Sequence, residues 1–163
     1  MHNESSPILN GATTVRFNQE APPYNAFLNH SPYRILYRRV IYPSALHLLE
    51  ATKFIDQHPE IGEIIRKIPR ISDVFPAADG FQHLKSVDWD IISKQEEVLY
   101  LKVEQHPDLR SFLLDTGDAE IIYENTADAY WGSGPQNKGK NEFGKALMRV
   151  RERLQRPSTS WLA

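Results

Sequence analysis

The chain has 163 residues, enough for one domain with a real core and too few for two. Its 19 Lys and Arg against 21 Asp and Glu leave a net charge of −2, which excludes bulk electrostatic attraction to nucleic acid. The lack of cysteine excludes disulfides and thiolate metal sites, and no apolar run reaches the roughly 18–20 residues of a membrane span.

Residues 1–14 are polar, without the basic and apolar regions of a secretory signal; a disordered tail on a cytoplasmic protein is expected, with the nucleus as the alternative compartment. Val15 to Phe17 suits a short strand, 21–33 an ordered loop, and 33–42 two short strands. Pro43-Ser44 opens a helix to about Asp56, capped by Ser44. A second helix is predicted from Pro59 to Lys67, with Ile61, Ile64, Ile65 and Ile68 forming a buried stripe. Two prolines and a glycine make 69–87 irregular, with room for a short helix around 74–78. A long helix follows over about 90–105, with Ile91, Val98, Leu101 and Val103 facing inward, and Pro107 starts another piece carrying Leu109, Phe112 and Leu113. Thr116-Gly117-Asp118 is a turn and Ala119 to Tyr123 a strand. The last helix carries Phe143, Leu147, Val150 and Leu154 on one face; 157–163 reads as a loose tail. The pattern predicts a single mainly helical α+β domain over 15–156 with a small β-sheet.

The stretch 114–153 gathers the features of a small-molecule site: Asp128, the Tyr130-Trp131 pair and a Gly-rich loop leading into a helix. The loop from Gly132 to Asn141 either exposes backbone amides to an anion, with Lys138 and Lys140 adding charge, or is a plain solvated loop. The arginines at 149, 151 and 153 read mostly as a solvated face. The six histidines are scattered without H-x-x-x-H or H-x-E spacing, so no metal is expected, and no G-x-S-x-G elbow occurs.

Six segments in order resemble the motifs of the NADAR family of N-glycosidases, linked to NAD and ADP-ribose chemistry, over about Tyr24 to Leu154. They are Tyr24-Asn25-Ala26-Phe27; Tyr42-Pro43-Ser44-Ala45-Leu46-His47 with Ala51-Thr52-Lys53-Phe54; Asp88-Trp89; Thr116-Gly117-Asp118; Asp128-Ala129-Tyr130-Trp131-Gly132; and Gly139-Lys140-Asn141-Glu142-Phe143-Gly144 continuing to Met148. The resemblance implies a mainly helical α+β fold and cleavage of a ribose–nitrogen bond, without a cofactor. Its implied substrates are phosphoribosylamino-pyrimidine intermediates of riboflavin synthesis and ADP-ribose attached to guanine. The implied partner is a small ribose-phosphate or ADP-ribose ligand, with ADP-ribosylated nucleic acid as a further one, and no obligate protein partner. It points to Lys53 for catalysis, and Glu50 and Asp128 are the candidate catalytic carboxylates. For substrate binding it points to Asn25, Phe27, His47, Trp89, Asp118, Tyr130, Trp131, Gly132, Gly139 and Asn141.

One departure bears on activity. The family's glutamate before the histidine is here Leu46, and its glutamine four residues on is Glu50. Positions 46, 50 and 53 share a helix face, so a carboxylate has moved one turn along, next to Lys53. Lys53 is then either an amine able to attack the sugar or a snorkelling surface lysine. Glu50 is either an acid or a surface ion-pair partner, His47 a ligand contact or a satisfied structural histidine, and Asp128 a stabiliser of oxocarbenium charge or a turn former. Trp89 and Trp131 either stack on a base or fill a core. Two functions are therefore open: an N-glycosidase, or a nucleotide-binding module that lost catalysis with the glutamate.

Overall fold

The computed structural model describes residues 13–156, so the expected tails, apart from Thr13 and Thr14, lie outside it. The described residues form two compact units, one of 13–21 with 111–156, the other of 22–110. The class is α+β, with six α-helices among the described residues and two two-stranded sheets.

In the unit 22–110, strands β2 (Ile35–Tyr37) and β3 (Val40–Tyr42) form an antiparallel hairpin, Leu36 opposite Ile41. The hairpin turns at Arg38 and Arg39, both at positive φ. Helix α1 (Ala45–Ala51) begins where Ser44 predicts it: the extended serine accepts the His47 N–H, relieving one of the helix's orphan donors. Its apolar side chains meet α2 (Pro59–Arg66), α3 (Ile71–Gly80) and α4 (Ile91–Gln105), and Leu48, Phe54, Ile65, Val74 and Val98 join in one core. Ile61 and Ile65 are buried in α2, but Ile64 is 51% exposed. At three residues from Ile61 and one from Ile65 it falls on the flank of the stripe.

Within the segment expected to be irregular, the short helix placed around 74–78 is longer, the ten-residue α3 with Pro76 inside it. The proline removes one backbone bond, to Ser72, yet both residues are exposed, so water serves the freed carbonyl. Val74 and Ala78, four apart, hold the helix to the core. Helix α4 is capped by Asp90, whose carboxylate accepts the Ser93 N–H. The carboxamide of Gln105, its last residue, bonds both backbone groups of Leu36, at 2.8 and 2.9 Å, on the edge of the hairpin. Helix α5 (Pro107–Asp115) carries the chain onward.

In the unit 13–21 with 111–156, β1 (Thr14–Phe17) pairs in parallel with β4 (Glu120–Tyr123), Val15 opposite Ile121. Helix α6 (Glu142–Gln155) buries Phe143, Leu147 and Val150 of the predicted stripe, while Leu154, in its last turn, is half-buried. Arg151 does not join a solvated face. It is buried, and its guanidinium donates to Thr116 Oγ1 and Ala119 O, tying α6 to the turn before β4.

The inner face of α4 differs most from the expectation. Leu101 is only half-buried, while Gln95 and Lys102 are enclosed. The Gln95 carboxamide pairs reciprocally with Asn29. Lys102 is 0% exposed, and its Nζ donates to Leu28 O at 2.8 Å and to Ser31 Oγ at 2.6 Å, with Tyr33 as an aromatic neighbour. Burial pushes the Lys102 amine down to about 7. An unfolded lysine keeps its proton to about pH 10.4, so between those values the unfolded chain binds a proton that the folded chain has lost. Lys102 therefore makes stability rise with pH from about 7 to about 10.4, a gain absent below pH 7. The difference in urea stability between wild type and Lys102→Met should grow in favour of wild type across that window; a difference flat in pH would show that the buried amine keeps its charge.

Candidate functional site

In the unit 22–110 the chemistry gathers where α1 ends. The helix stops at Ala51, not near Asp56, because the Thr52 hydroxyl donates to Leu49 O and the following amides tighten onto carbonyls three residues back. Lys53 therefore sits on this tight turn rather than on the helix. Its Nζ nevertheless donates to Glu50 Oε2 at 2.5 Å, and both side chains are largely out of water, 15% and 6% exposed. Burial holds the Glu50 carboxyl above the ordinary glutamate range, against the Lys53 ammonium and with help from Asp79.

Aromatic faces flank the amine. The Trp89 centroid lies 5.1 Å from Lys53 Nζ and the Phe75 centroid 5.6 Å. Trp89 is fixed: its Nε1 donates to Thr52 Oγ1 at 3.0 Å, and Lys85 Nζ lies 5.6 Å from its ring. Leu46 is half-buried and packs against the edge of the core, so the family's glutamate position carries an apolar contact here. Asp79, Lys85, Thr52 and Phe75 were not read as site residues. The signal for Phe75 was present: it is out of phase with the Val74 and Ala78 stripe, a large aromatic on the outer side of a helix that Pro76 concealed.

Other candidates in this unit have structural tasks. His47 is buried, with Nδ1 against Ser44 Oγ and Nε2 against Ile68 O, so both ring nitrogens are engaged within the protein. Phe27 is 1% exposed, its ring near that of Tyr24, and presents no surface to a ligand. Asn25 is half-buried on the same turn.

In the other unit, Asp128 Oδ1 accepts the N–H groups of Tyr130 and Trp131, at 3.0 and 2.8 Å, so it forms the turn that presents the aromatic pair. The two rings meet edge to face at 4.9 Å, Tyr130 37% exposed and Trp131 half-buried. Asp118 is exposed. Most amides of the Gly-rich loop are not offered to an anion. The N–H groups of Gly132, Ser133, Gly134 and of 138–143 all donate to carbonyls of residues 123–135, so the loop is knitted to itself. Gly139 lies so close to the chain that a Cβ there would meet Gly132 O at 2.4 Å. Asn141, at φ 52°, accepts from Tyr123 N and donates to Ile121 O, clamping β4 to the start of α6. Gly132, Gly139 and Asn141 thus build the loop. What the loop presents outward is a side chain: Lys140, with Lys145 of α6 and Arg16 of β1, borders a hollow of about 340 Å³.

Among the described residues no group of three His, Asp or Glu is placed to hold a metal, and no helix is long and apolar enough to cross a membrane.

The buried Glu50–Lys53 pair and the self-bonded Asp128–Asn141 loop sit on motifs with a known order, and comparison with characterised proteins is consistent. The chain belongs to the NADAR family, the NADAR domain profile matching residues 15–155. It is 33% identical over 146 residues to the N-glycosidase YbiA of Escherichia coli (strain K12), covering 87% of this chain and 89% of that one. An N-glycosidase of Nostoc punctiforme is 29% identical over 86% of this chain and 92% of its own length. A riboflavin biosynthesis protein of Vibrio vulnificus matches at 33% identity over 86% of this chain and 38% of its own. The NMR structure of E. coli YbiA superposes with a TM-score of 0.67 at 31% identity, covering 91% of this chain and 89% of that one.

Gly139→Ala should lower stability by about 1–3 kcal/mol, because its new methyl would displace packed backbone. Lys138→Ala, on an exposed part of the same loop, should stay within about 0.5 kcal/mol of wild type. Equal melting temperatures for the two variants would contradict the self-bonded loop.

Proposed function

We propose that the protein is an N-glycosidase cleaving a ribose–nitrogen bond in a phosphoribosylamino-pyrimidine or ADP-ribosyl substrate, with Lys53 as nucleophile and Glu50 as acid. The observation that carries this reading is the 2.5 Å Glu50–Lys53 contact out of water. A lysine must be neutral to attack, and an acid must be protonated to release a base. A proton passing from Nζ to Glu50 achieves both at once, and the burial that raises the Glu50 carboxyl favours that transfer. The amine then bonds to the anomeric carbon, the carbon–nitrogen bond breaks, and the Glu50 proton goes to the leaving nitrogen. The glycosyl-lysine opens to an iminium as the ring oxygen takes the amine's proton. Water adds to that carbon, giving up a proton to Glu50, and the sugar leaves with its phosphate or ADP group still attached as the amine is restored.

The names of relatives of similar length support the reaction, and the Vibrio relative's name supports a riboflavin-pathway substrate. Asn25, Trp89, Asp118, Tyr130 and Trp131 remain proposed substrate contacts, and Asp128 acts in this reading through the turn it holds. Leu46 favours a second reading, a nucleotide-binding module without turnover. Incubation with a phosphoribosylaminopyrimidine and with ADP-ribosylated guanosine, scoring free base, separates the two.

Lys53→Ala should abolish base release, and Lys53→Arg should not restore it, since guanidinium stays protonated. Glu50→Gln should slow release by about 10²–10⁴. Borohydride added during turnover should trap a sugar adduct on Lys53, read by mass spectrometry. Base release at the wild-type rate by Lys53→Ala would refute the assignment.

A further inference from the structure

Two aromatic rings flank Lys53 Nζ, and they are not equivalent. The Trp89 indole is half-buried, tethered through Nε1 to Thr52, and already has two ammonium groups, of Lys53 and Lys85, within 5.6 Å of its ring. Phe75 has no polar tether, is 55% exposed, and has the Lys53 ammonium beside its ring. Its neighbours Val74 and Ala78 make the core contacts that hold α3 in place, so the Phe75 ring contributes little to that core. What makes the exposed Phe75 ring informative is its place beside a buried ion pair.

We propose that Phe75 is a specificity-determining residue of this site, its open face stacking on the planar base that leaves when Lys53 attacks the sugar. The proposal rests on the N-glycosidase reading for the identity of the leaving group. The distances agree with it. Attack from about 3–3.5 Å, plus a single C–N bond of about 1.45 Å, puts the leaving nitrogen about 5 Å from Nζ. The Phe75 centroid is 5.6 Å from the same atom, so a base that leaves on the Phe75 side of Nζ falls within stacking reach of that ring. The face is sequence-tolerant, as any purine or pyrimidine presents a π surface. The site would accordingly select planar heteroaromatic leaving groups over aliphatic amines.

The test compares kcat/KM on two ribosylamines with the same sugar, one carrying a pyrimidine and one a small aliphatic amine. In Phe75→Ala the preference for the pyrimidine should fall about ten- to a hundredfold, the loss lying on the aromatic substrate. Phe75→Tyr and Phe75→Trp should keep it. An unchanged preference in Phe75→Ala, or an equal loss on both substrates, overturns the proposal. If the wild type cleaves neither, the N-glycosidase reading fails, and calorimetry with guanosine and cytidine decides Phe75 separately. Weaker nucleoside binding by Phe75→Ala, restored by Phe75→Tyr, supports the stacking face; equal binding by wild type and Phe75→Ala, including none by either, overturns it. Thermal melting of each variant checks that the exposed substitution leaves the fold intact.

Discussion

A carboxylate and an amine removed from water must satisfy one another, and the Glu50–Lys53 pair is the constraint to which the unit 22–110 answers. Desolvation alone would neutralise either group, and breaking such a pair leaves an uncompensated buried charge. Its geometry is set by an early helix stop. Thr52 ends α1 by turning its hydroxyl back on Leu49 while accepting the Trp89 indole N–H. One threonine thereby fixes both the turn that presents Lys53 and the ring beside it. Had the helix run on, Glu50 and Lys53 would still be neighbours at i and i+3, but without the turn that the Ser86 N–H closes on Lys53 O.

The second polar arrangement lies behind the first. Gln95 and Lys102 on α4 hold the 24–31 segment, whose Asn29 carbonyl accepts the Leu46 N–H in the first turn of α1. The helix bearing Glu50 is thus held at its start by a loop that a buried amine secures, and at its end by Thr52. Apolar packing alone would let a seven-residue helix fray, since isolated helices of this length are marginal.

Much of this fold was legible because local chemistry acts alone. Ser44 before an apolar run, Pro59 at a first turn and the one-faced stripe of α6 each declare an element without reference to the rest of the chain. The order of motifs likewise made the family readable. What stayed hidden depends on distant partners. The early end of α1 comes from a side-chain hydroxyl competing with backbone, α3 from an exposed Pro76 whose lost bond is harmless, and the burial of Lys102 from carbonyl and hydroxyl acceptors more than seventy residues away. At the loop from Gly132 to Asn141, glycine content suggested amides open to an anion. The glycines are there for close approach of chain to chain, and only the complete bonding pattern distinguishes those uses.

The Gln105 carboxamide, bonded to both backbone groups of Leu36, imitates one rung of a β-ladder. Leu36 and Ile41 point their side chains into water from a short hairpin, the kind of apolar edge that invites a strand from another molecule. A side chain that occupies the rung withdraws that edge from intermolecular pairing, so the hairpin can keep an oily outer surface without offering a template for aggregation.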